Sequence, residues 1–512
     1  MIDVPVQARA LVSELMAKPW GNVSPSVYET GRMVTIAPWL AGQRERVAYL
    51  LAGQHGDGSW GAPDGYGLVP TLSATEGLLS AAARGDADPA SVMPTARAGL
   101  DALRRMLAGP GDLPDTPAIE LIVPHLVALI DAHRSAAPLP LPPGMDGERL
   151  GKVRRLLAAG VEPPQKVLHV LEVAGADAVR AAGTVQAETV RAGAVRPTSI
   201  GTIGASPAAT AAWLDALPPD PADSARRHLE AVAGRYGGPV PVGLPITVFE
   251  RGWVLSWLAR ADVPVEVPPE MLADLRAAIG PDGTAAGAGL PPDADTTSVA
   301  LYALALLGMP CKPESLKTFD TGEHFCTWQG EDGYSVSVNA HVLDSFGQYV
   351  RARPTAADTY RPMMARVARW LGGQQGRDGS WSDRWHASPF YATLACVLAL
   401  GEFGGPQYAG AIRAAREWVL GAQREDGSWG RWAGGPEETA YAVQALLLGG
   451  LEPDERCVRA AERGCGFLMR VFALSDYPPM WHDKDLYTPN AIVRAAILAA
   501  LHVTQPYLQR GI

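Results

Sequence analysis

Two carboxylates open a strongly apolar segment with helical spacing. In "LPPDADTTSVALYALALLG", Asp293 and Asp295 follow a Pro-Pro pair and precede a run of Ala, Leu and Val. Acidic side chains near a helix start accept hydrogen bonds from free backbone N–H groups and complement the helix dipole, so capping alone explains both. A carboxyl group buried in an apolar cavity also has a raised pKa and keeps its proton more readily. The pair is therefore either a cap or an acid.

A repeated turn motif predicts the elements that carry this pair. The pattern Gln-x-x-Asp-Gly-Ser-Trp occurs three times, beginning at Gln54, Gln375 and Gln423. Asp-Gly turns in the second half recur about every 48 residues, a period that fits two helices and two turns. The Ala/Leu-rich stretches between turns have apolar residues at helical spacing. We assign the motif, including its tryptophans, to turn structure rather than to chemistry.

The repeat predicts an all-α protein built from two α/α barrels, because repeated helix pairs can close into a ring around a central cavity. The Pro-rich stretch 261–270 comes just before the regular repeats and is the predicted junction. Another Pro-rich stretch, 137–147, is interpreted as a loop within the first barrel. The predicted barrels cover roughly 21–255 and 260–512.

The composition of the chain limits the kinds of partner that the protein can bind. At 512 residues the chain is long enough for two or more domains, and its net charge of −10 argues against nucleic acid. No long apolar run predicts a membrane span, and the first residues lack the features of a signal peptide, so a cytoplasmic location is expected. The five cysteines show no metal or disulfide spacing, which predicts reduced thiols.

The motifs resemble those of terpene cyclases. The Gln-x-x-Asp-Gly-Ser-Trp turns are similar to those of their α/α barrels, and "DADTT" resembles the Asp-x-Asp-Asp motif of class II terpene cyclases, which begin cyclisation by protonating an alkene. "SVYETGRMV" is similar to the family's Ser-x-Tyr-Asp-Thr-Ala-Trp opening, with Arg32 in place of the usual Trp. Further similar segments lie at 166–175, 201–214, 249–260, 335–346, 383–393 and 484–498.

The resemblance implies a domain arrangement. In this family a γ domain is inserted after the first helix of a β domain. Residues 1–20 would then pack with 260–512 as the β domain, and 21–255 would form the γ domain. The active site is expected between the two barrels, where deep pockets often lie.

The resemblance also implies roles for the acids. Asp295, the middle acid of "DAD", is predicted to be the general acid. Asp293 is expected to bond Asp295 and fix its proton at an irregular helix start. Asn339 in "SVNAH" stands where the family has a hydrogen-bond partner for the acid; an interhelix bond away from the site is the alternative.

Further candidates follow for the substrate. Aromatic faces stabilise carbocations through cation–π attraction, so Trp385, Tyr391 and Trp481 either line the cavity or simply pack in the core. A diphosphate calls for cations, and we predict Mg²⁺ together with Lys or Arg, with Lys484 as a substrate-binding candidate. Glu120 resembles the acidic position of the γ-domain metal site, although an exposed helix acid is an equal interpretation.

The expected substrate is a linear prenyl diphosphate whose diphosphate is retained. Class I terpene synthases ionise it with Asp-Asp-x-x-Asp and an Asn-Asp or Asp-Asp motif, and the sequence contains no Asp-Asp or Asn-Asp pair. Thr296 at the fourth motif position resembles drimane-forming cyclases, which favours farnesyl diphosphate and a drimenyl product. The alternative is geranylgeranyl diphosphate and a labdane or halimane product. A phosphatase or a class I synthase would act downstream.

Three other classes of protein fit the sequence less well. A triterpene cyclase is disfavoured because the γ-domain segments indicate a diphosphate substrate. A protein prenyltransferase subunit would need a zinc site, and no cysteine lies in a persuasive ligand cluster. A non-catalytic α-barrel that binds a protein or lipid predicts that Asp293 and Asp295 are only caps.

Overall fold

The chain is almost entirely helical. The computed structural model describes residues 2–109, 113–133, 137–175, 179–180, 195–216 and 223–509. The α-helices of the first half are α1 (Val4–Ala17), α2 (Val27–Ile36), α3 (Gln43–Ala52), α4 (Leu68–Arg84), α5 (Pro89–Ala108), α6 (Ile119–Ala132), α7 (Glu148–Ala158), α8 (Pro207–Asp215), α9 (Ser224–Tyr236) and α10 (Thr247–Arg260). Those of the second half are α11 (Pro269–Ala277), α12 (Ala294–Leu306), α13 (Val336–Ala352), α14 (Ala357–Gly373), α15 (Pro389–Ala399), α16 (Ala409–Gly421), α17 (Pro436–Leu447), α18 (Glu455–Val471) and α19 (Asn490–Leu508).

Short irregular elements join these helices. One antiparallel pair of two-residue strands, β1 (Trp481–His482) and β2 (Leu486–Tyr487), precedes α19. The 3₁₀ segments are Gln165–Ala174, Ser315–Phe319, Pro354–Ala356 and Pro406–Tyr408, and Leu400–Gly404 is a π-helical turn. Neighbouring helices pack in pairs, such as α4 with α5 and α12 with α13. The all-α, α/α-barrel prediction is confirmed.

The three repeated turns have the same hydrogen bonds. In the third copy, the Gln423 amide donates to the backbone carbonyls of Gly427 (3.0 Å) and Ala460 (2.9 Å), so it ties the turn to the next helix. The Trp429 indole N–H donates to the Val419 carbonyl at 2.7 Å, and its ring is fully buried. The copies at Gln54 and Gln375 repeat these contacts. The structural interpretation of the motif is confirmed.

Helix α19 lies in the largest hydrophobic core. It is long enough to cross a membrane and has a mean hydropathy of 1.3, but 61% of it is buried inside the protein. Ile492, Val493 and Leu498 are fully buried and belong to the cluster that also contains side chains of α1 and α10. Its apolar composition is therefore explained by packing in the core.

The packing of the first and last helices bears on domain organisation. Helix α1 contacts α19, and Arg494 donates to the Gln7 amide oxygen at 3.2 Å. Helix α10 runs through position 255, the predicted end of the inserted domain, and packs against both α12 and α19. The boundaries 1–20, 21–255 and 260–512 stay a prediction.

The cysteines form no disulfide. Cys311 is half-buried, whereas Cys326, Cys396, Cys457 and Cys465 are buried, and all five are free thiols. Burial raises the pKa of the Cys457 and Cys465 thiols to about 11, so both are protonated and unreactive at neutral pH. The prediction of free, buried thiols is confirmed.

Candidate active site

Asp293 caps helix α12. Its backbone is extended, and its carboxylate accepts hydrogen bonds from the backbone N–H groups of Thr296 (2.6 Å) and Ala286 (3.1 Å). The first contact is the ordinary N-cap interaction, and the second ties the preceding loop to the helix start. Both oxygens of Asp293 are used by the backbone, and we find no hydrogen bond from it to Asp295. The expected bond between the two acids is therefore wrong, and the capping interpretation holds for Asp293.

Burial gives Asp293 an unusual proton affinity. The residue is 3% exposed. Burial raises the pKa of its carboxyl to about 7, the Thr296 N–H opposes this shift, and the nearby charge of Asp295 adds to it. Asp293 therefore retains its proton close to neutral pH.

Asp295 has a different partner, His341. Asp295 lies in the first turn of α12, and its Oδ1 is 2.6 Å from Nδ1 of His341 on the neighbouring helix α13. Because a carboxyl oxygen accepts, we assign the hydrogen to Nδ1. A donor on Oδ1 leaves Oδ2 free to carry the acidic proton, and it stabilises the carboxylate that remains after transfer. The geometry suits a general acid.

The prediction that Asn339 bonds the acid is wrong. Asn339 is fully buried, its Oδ1 accepts from the backbone N–H of Phe325 (2.8 Å), and its amide donates to the carbonyls of Phe325 (2.9 Å) and Ser335 (2.8 Å). All three contacts are to the backbone. The structural alternative stated for Asn339 holds, and His341, two residues later, replaces it beside Asp295.

Both acids line a cavity of about 630 Å³, a volume typical of a small-molecule site. One wall comes from 115–170 in the first half of the chain, and the other from 286–296, 327–333, 384–385 and 481–487. Phe249 of helix α10 also contributes to the lining. The cavity thus receives residues from both halves of the chain, and it brings Asp293 and Asp295 together with many of the other predicted residues.

Two of the three predicted aromatic residues face this cavity. Trp385 and Trp481 line it, and the Trp481 indole N–H donates to Glu437 at 2.8 Å. Tyr391 does not line it. Its ring is 2% exposed and stacks on His386, with ring centroids 4.5 Å apart, so Tyr391 packs behind the wall. The prediction for Tyr391 is wrong because the start of helix α15 turns it into the core.

The prediction that Lys484 binds substrate is also wrong. Its side chain is fully buried, pairs with Glu29 and Glu172, and donates to Ser206 Oγ and the His169 carbonyl, both at 2.8 Å. All of these partners come from the first half of the chain. Burial alone would lower the pKa of Lys484, but the two carboxylates hold it above its ordinary value. Lys484 joins the two halves of the chain and has no free hydrogen to offer a ligand.

Three other cations line the cavity, and sequence reasoning did not select them. They are Arg149, Lys166 and Arg384. Arg384 pairs with Asp115 at 2.6 Å and lies over the Trp385 ring, with its guanidinium carbon 5.1 Å from the centroid. A cluster of cations beside apolar walls suits a ligand with an anionic end and a hydrocarbon tail. Lys166 and Arg384 lie in segments with family resemblance (166–175 and 383–393), which was the available signal. Arg149, at the start of helix α7, carried none.

Glu120 lines the same cavity, 3.6 Å from Arg149. Within the part of the chain that the structure describes, there is no group of three or more His, Cys, Asp or Glu that could hold a metal. Mg²⁺ is commonly held by one or two carboxylates together with substrate phosphates. Glu120 beside the cations therefore fits a Mg²⁺ ion that arrives with the phosphates of its substrate.

Comparisons with known proteins agree with this site. Residues 330–472 match the squalene-hopene cyclase C-terminal domain. The chain is 43% identical to the ent-copalyl diphosphate synthase of Streptomyces sp. (strain KO-3988), over 97% of this chain and 96% of that protein. It is 41% identical to the copalyl diphosphate synthase of Streptomyces cyslabdanicus, over 97% and 95%.

A solved structure supports the same relationship. The ent-copalyl diphosphate synthase from Streptomyces platensis has a TM-score of 0.91 and 42% identity, covering 98% of this chain and all of that one. This likeness spans nearly the whole length of both chains. The non-catalytic interpretation is therefore set aside, and the chain belongs to the class II terpene cyclases, enzymes that isomerise a prenyl chain after protonating it.

Proposed function

We propose that the protein cyclises geranylgeranyl diphosphate to a labdane-type bicyclic diphosphate of the copalyl class. The observation that carries the proposal is the Asp295–His341 pair, joined at 2.6 Å at the wall of an aromatic and cationic cavity. Relatives at 39–43% identity are named as copalyl or labdadienyl diphosphate synthases, and this supports the geranylgeranyl alternative. The drimenyl prediction from Thr296 finds no support among them.

The reaction begins at Asp295. Its O–H bond breaks and a C–H bond forms at the terminal alkene, which leaves a tertiary carbocation. His341 stabilises the resulting carboxylate through its Nδ1–H, because a donor aimed at a developing charge favours the charged state. Two neighbouring alkenes then attack in turn, which closes two rings and moves the cation along the chain.

The walls hold the cation and exclude nucleophiles. Trp481 and Phe249 lie with ring centroids 5.6 Å apart, edge to face, and Trp253 stands behind them at 4.4 Å from Phe249. Aromatic faces attract a carbocation without bonding to it. These rings offer the carbocation a negative surface. An oxygen or nitrogen atom in the same place would be alkylated by it.

The enzyme binds the diphosphate group without cleaving it, so the group stays on the product. We assign it to Arg149, Lys166 and Arg384, with Mg²⁺ beside Glu120. When bound, Mg²⁺ would neutralise part of the diphosphate charge. Because the product keeps its diphosphate, an enzyme that hydrolyses or ionises this group, a phosphatase or a class I synthase, is the expected next step.

The test is incubation with farnesyl diphosphate, geranylgeranyl diphosphate and squalene in separate reactions, followed by phosphatase treatment and mass spectrometry. We expect a bicyclic C20 alcohol from geranylgeranyl diphosphate and little conversion of the others, with no release of inorganic diphosphate during turnover. Faster conversion of farnesyl diphosphate would restore the drimenyl interpretation, and stoichiometric diphosphate release would refute the class II chemistry.

A further inference from the structure

A buried carboxyl group lies behind one of the aromatic walls of the cavity. Trp481 lines the cavity and is 4% exposed, and its indole Nε1–H donates to Oε1 of Glu437 at 2.8 Å. Glu437, on helix α17, is 2% exposed and does not belong to the cavity lining. The carboxyl group therefore touches the indole from outside the cavity, and the ring separates it from the space that a substrate would fill.

Two more donors converge on the same carboxyl oxygen. The Tyr441 O–H donates to Glu437 Oε1 at 2.8 Å. His386 Nδ1 accepts from the Ser388 backbone N–H at 3.0 Å, so we assign the ring hydrogen to Nε2, which lies 3.2 Å from Oε1. His386 is then the neutral tautomer and acts as a third donor. Three donors around one oxygen match a carboxylate, because an ionised carboxyl group only accepts hydrogen bonds.

No strong cation neutralises this carboxylate. In the described part of the chain Glu437 pairs with His386 but with no Lys or Arg, and its Oε2 has no hydrogen-bond partner. A buried carboxylate with an unpartnered oxygen lowers stability, so its presence requires an explanation. Its charge also reaches the cavity wall: burial raises the pKa of the Tyr487 hydroxyl there, and the charge of Glu437 is among those that raise it further.

We propose that Glu437 makes the face of Trp481 more negative and thereby stabilises the carbocations formed during cyclisation. This inference rests on the proposed cyclase function and adds a positioning residue that acts through Trp481. A carboxylate that accepts the indole hydrogen bond shifts electron density from the N–H bond into the ring, so the π face attracts a cation more strongly. A carboxylate inside the cavity would bond to the carbocation, whereas one behind the indole contributes its charge without being alkylated.

The expected effect is on turnover more than on substrate binding. The hydrocarbon chain of the uncyclised substrate has no positive charge, so it gains little from a more negative indole. The carbocations gain much more, and an interaction that is stronger along the reaction path than in the bound substrate raises kcat. Weaker stabilisation also favours loss of a proton before the second ring closes. Loss of the Glu437 charge should therefore increase the share of monocyclic product.

The first experiment uses Glu437→Gln, Trp481→Phe and the double variant. Glutamine keeps the shape and an oxygen that accepts the indole hydrogen bond but removes the charge, whereas phenylalanine keeps an aromatic face without an N–H. Each protein is incubated with geranylgeranyl diphosphate, and the dephosphorylated products are separated by mass spectrometry. We expect Glu437→Gln to lower kcat about 10- to 100-fold, as a unit charge one ring away from a cation contributes in a protein interior, with a nearly unchanged KM.

The double variant shows whether Glu437 acts through the indole. In the Trp481→Phe background, Glu437→Gln should change kcat by less than about 2-fold, because the group that transmits its charge is absent. An equally large loss in both backgrounds would overturn the proposal, as would wild-type kcat and products from Glu437→Gln. The ratio of monocyclic to bicyclic product does not depend on how much of a sample is folded, so it remains informative for an unstable variant.

Glu438 provides a matched control. It follows Glu437 in helix α17, is 5% exposed, and its Oε1 accepts from Ser388 Oγ at 2.5 Å and from the Arg431 backbone N–H at 2.8 Å. Among the described residues, neither partner is an aromatic ring of the cavity. Glu438→Gln should give the wild-type ratio of products. A shift equal to that of Glu437→Gln would overturn the proposal, since any buried charge nearby would then have the same effect.

A binding measurement tests the same inference without turnover. Two non-reacting prenyl diphosphate analogues are compared by calorimetry, one with an ammonium group in place of the cationic carbon and one with a neutral carbon there. We expect the preference of the protein for the ammonium analogue to fall about 10-fold in Glu437→Gln and to stay unchanged in Glu438→Gln. An unchanged preference in Glu437→Gln would overturn the proposal. A wild type that shows this preference but converts no geranylgeranyl diphosphate would refute the proposed function and leave the role of Glu437 supported.

Discussion

The proton held by Asp293 should set the alkaline limit of activity. Burial raises the pKa of Asp293 to about 7, against the opposing N–H of Thr296, and the charge of Asp295 adds to the shift. Ionised Asp293 adds a negative charge beside Asp295, which opposes proton transfer from Asp295 to the alkene because two repelling carboxylates would result. Activity therefore requires protonated Asp293 and declines as the pH rises above about 7.

The size of the effect follows from that pKa. With a pKa of about 7 for Asp293, turnover at saturating substrate should be about 100-fold slower at pH 9 than at pH 6. Saturating conditions are needed because the free diphosphate also titrates, with a phosphate pKa of about 6. Turnover is measured as product formed per minute after phosphatase treatment, and circular dichroism at each pH verifies that the protein stays folded.

Asp293→Asn removes the carboxyl group of Asp293 but keeps a helix-capping side chain. Asparagine caps a helix about as well as aspartate, so the bond from the Thr296 N–H is retained, although its amide cannot accept from Ala286 N–H as well. Asparagine carries no charge at any pH, so the titration that we assign to Asp293 is removed. We expect reduced but measurable turnover at pH 7 and a smaller decline between pH 6 and pH 9 than in the wild type.

The control is another N-cap aspartate, Asp454, which accepts from the Cys457 N–H at 2.8 Å at an exposed helix start. Asp454→Asn should leave the pH profile unchanged. Wild-type turnover that is constant from pH 6 to 9 would refute the reasoning. Identical pH profiles for the wild type and Asp293→Asn would refute it as well.

Four further outcomes are expected. Asp295→Asn should fold with a melting temperature near that of the wild type but show no cyclisation, because an amide does not protonate an alkene; wild-type turnover would contradict the acid assignment. Trp429→Ala should lose about 3–5 kcal/mol of unfolding free energy in denaturant titrations, whereas Trp39→Ala, at a ring that is 42% exposed, should lose much less. Lys484→Met should also lose about 3–5 kcal/mol, since it leaves two buried carboxylates without a cation, while Arg456→Met, in an exposed pair, should change stability by less than about 1 kcal/mol. EDTA should raise the KM for the diphosphate substrate more than it lowers kcat, and an unchanged KM would argue against Mg²⁺ bound to the diphosphate.

The fold was predictable because its signals are local. Each repeated turn combines a Gln, an Asp-Gly pair and a Trp whose hydrogen bonds lie within the turn or reach the next helix, as Gln375 does to Ala411. These contacts join residues of one repeat, so the repeated pattern and its period identify them. The domain boundary was harder, because helix α10 packs against α12 and α19 and gives no compositional break at 255.

The sequence drew attention to Asp293 and Asp295, but it did not reveal the hydrogen-bond partner of Asp295. Asn339 and His341 are two residues apart on helix α13, so they point to different sides of it. Which of them reaches Asp295 depends on how α13 is rotated against α12. In the structure the Phe325 backbone occupies the Asn339 amide, and His341 contacts Asp295. The family resemblance favoured Asn339, and tertiary packing selected His341.

The charged residues of the cavity were beyond sequence reasoning for a related reason. Lys484 was a plausible ligand for a diphosphate until Glu29 and Glu172, more than 300 positions away, were found to enclose it. The cations that do line the cavity, Arg149, Lys166 and Arg384, come from three separate segments. Only the folded arrangement distinguishes a cation that is neutralised in the interior from one that faces a ligand.

Burial acts in opposite directions on the two kinds of titratable group that line this cavity. It disfavours whichever form of a group is charged, so it raises the pKa of a carboxyl and lowers that of an imidazole. It brings the pKa of Asp293 to about 7 and that of His482 to about 4. In water the order would be reversed, and an imidazole would take the proton from a carboxyl. Burial therefore lets a protonated carboxyl and an uncharged imidazole exist in one cavity at the same pH.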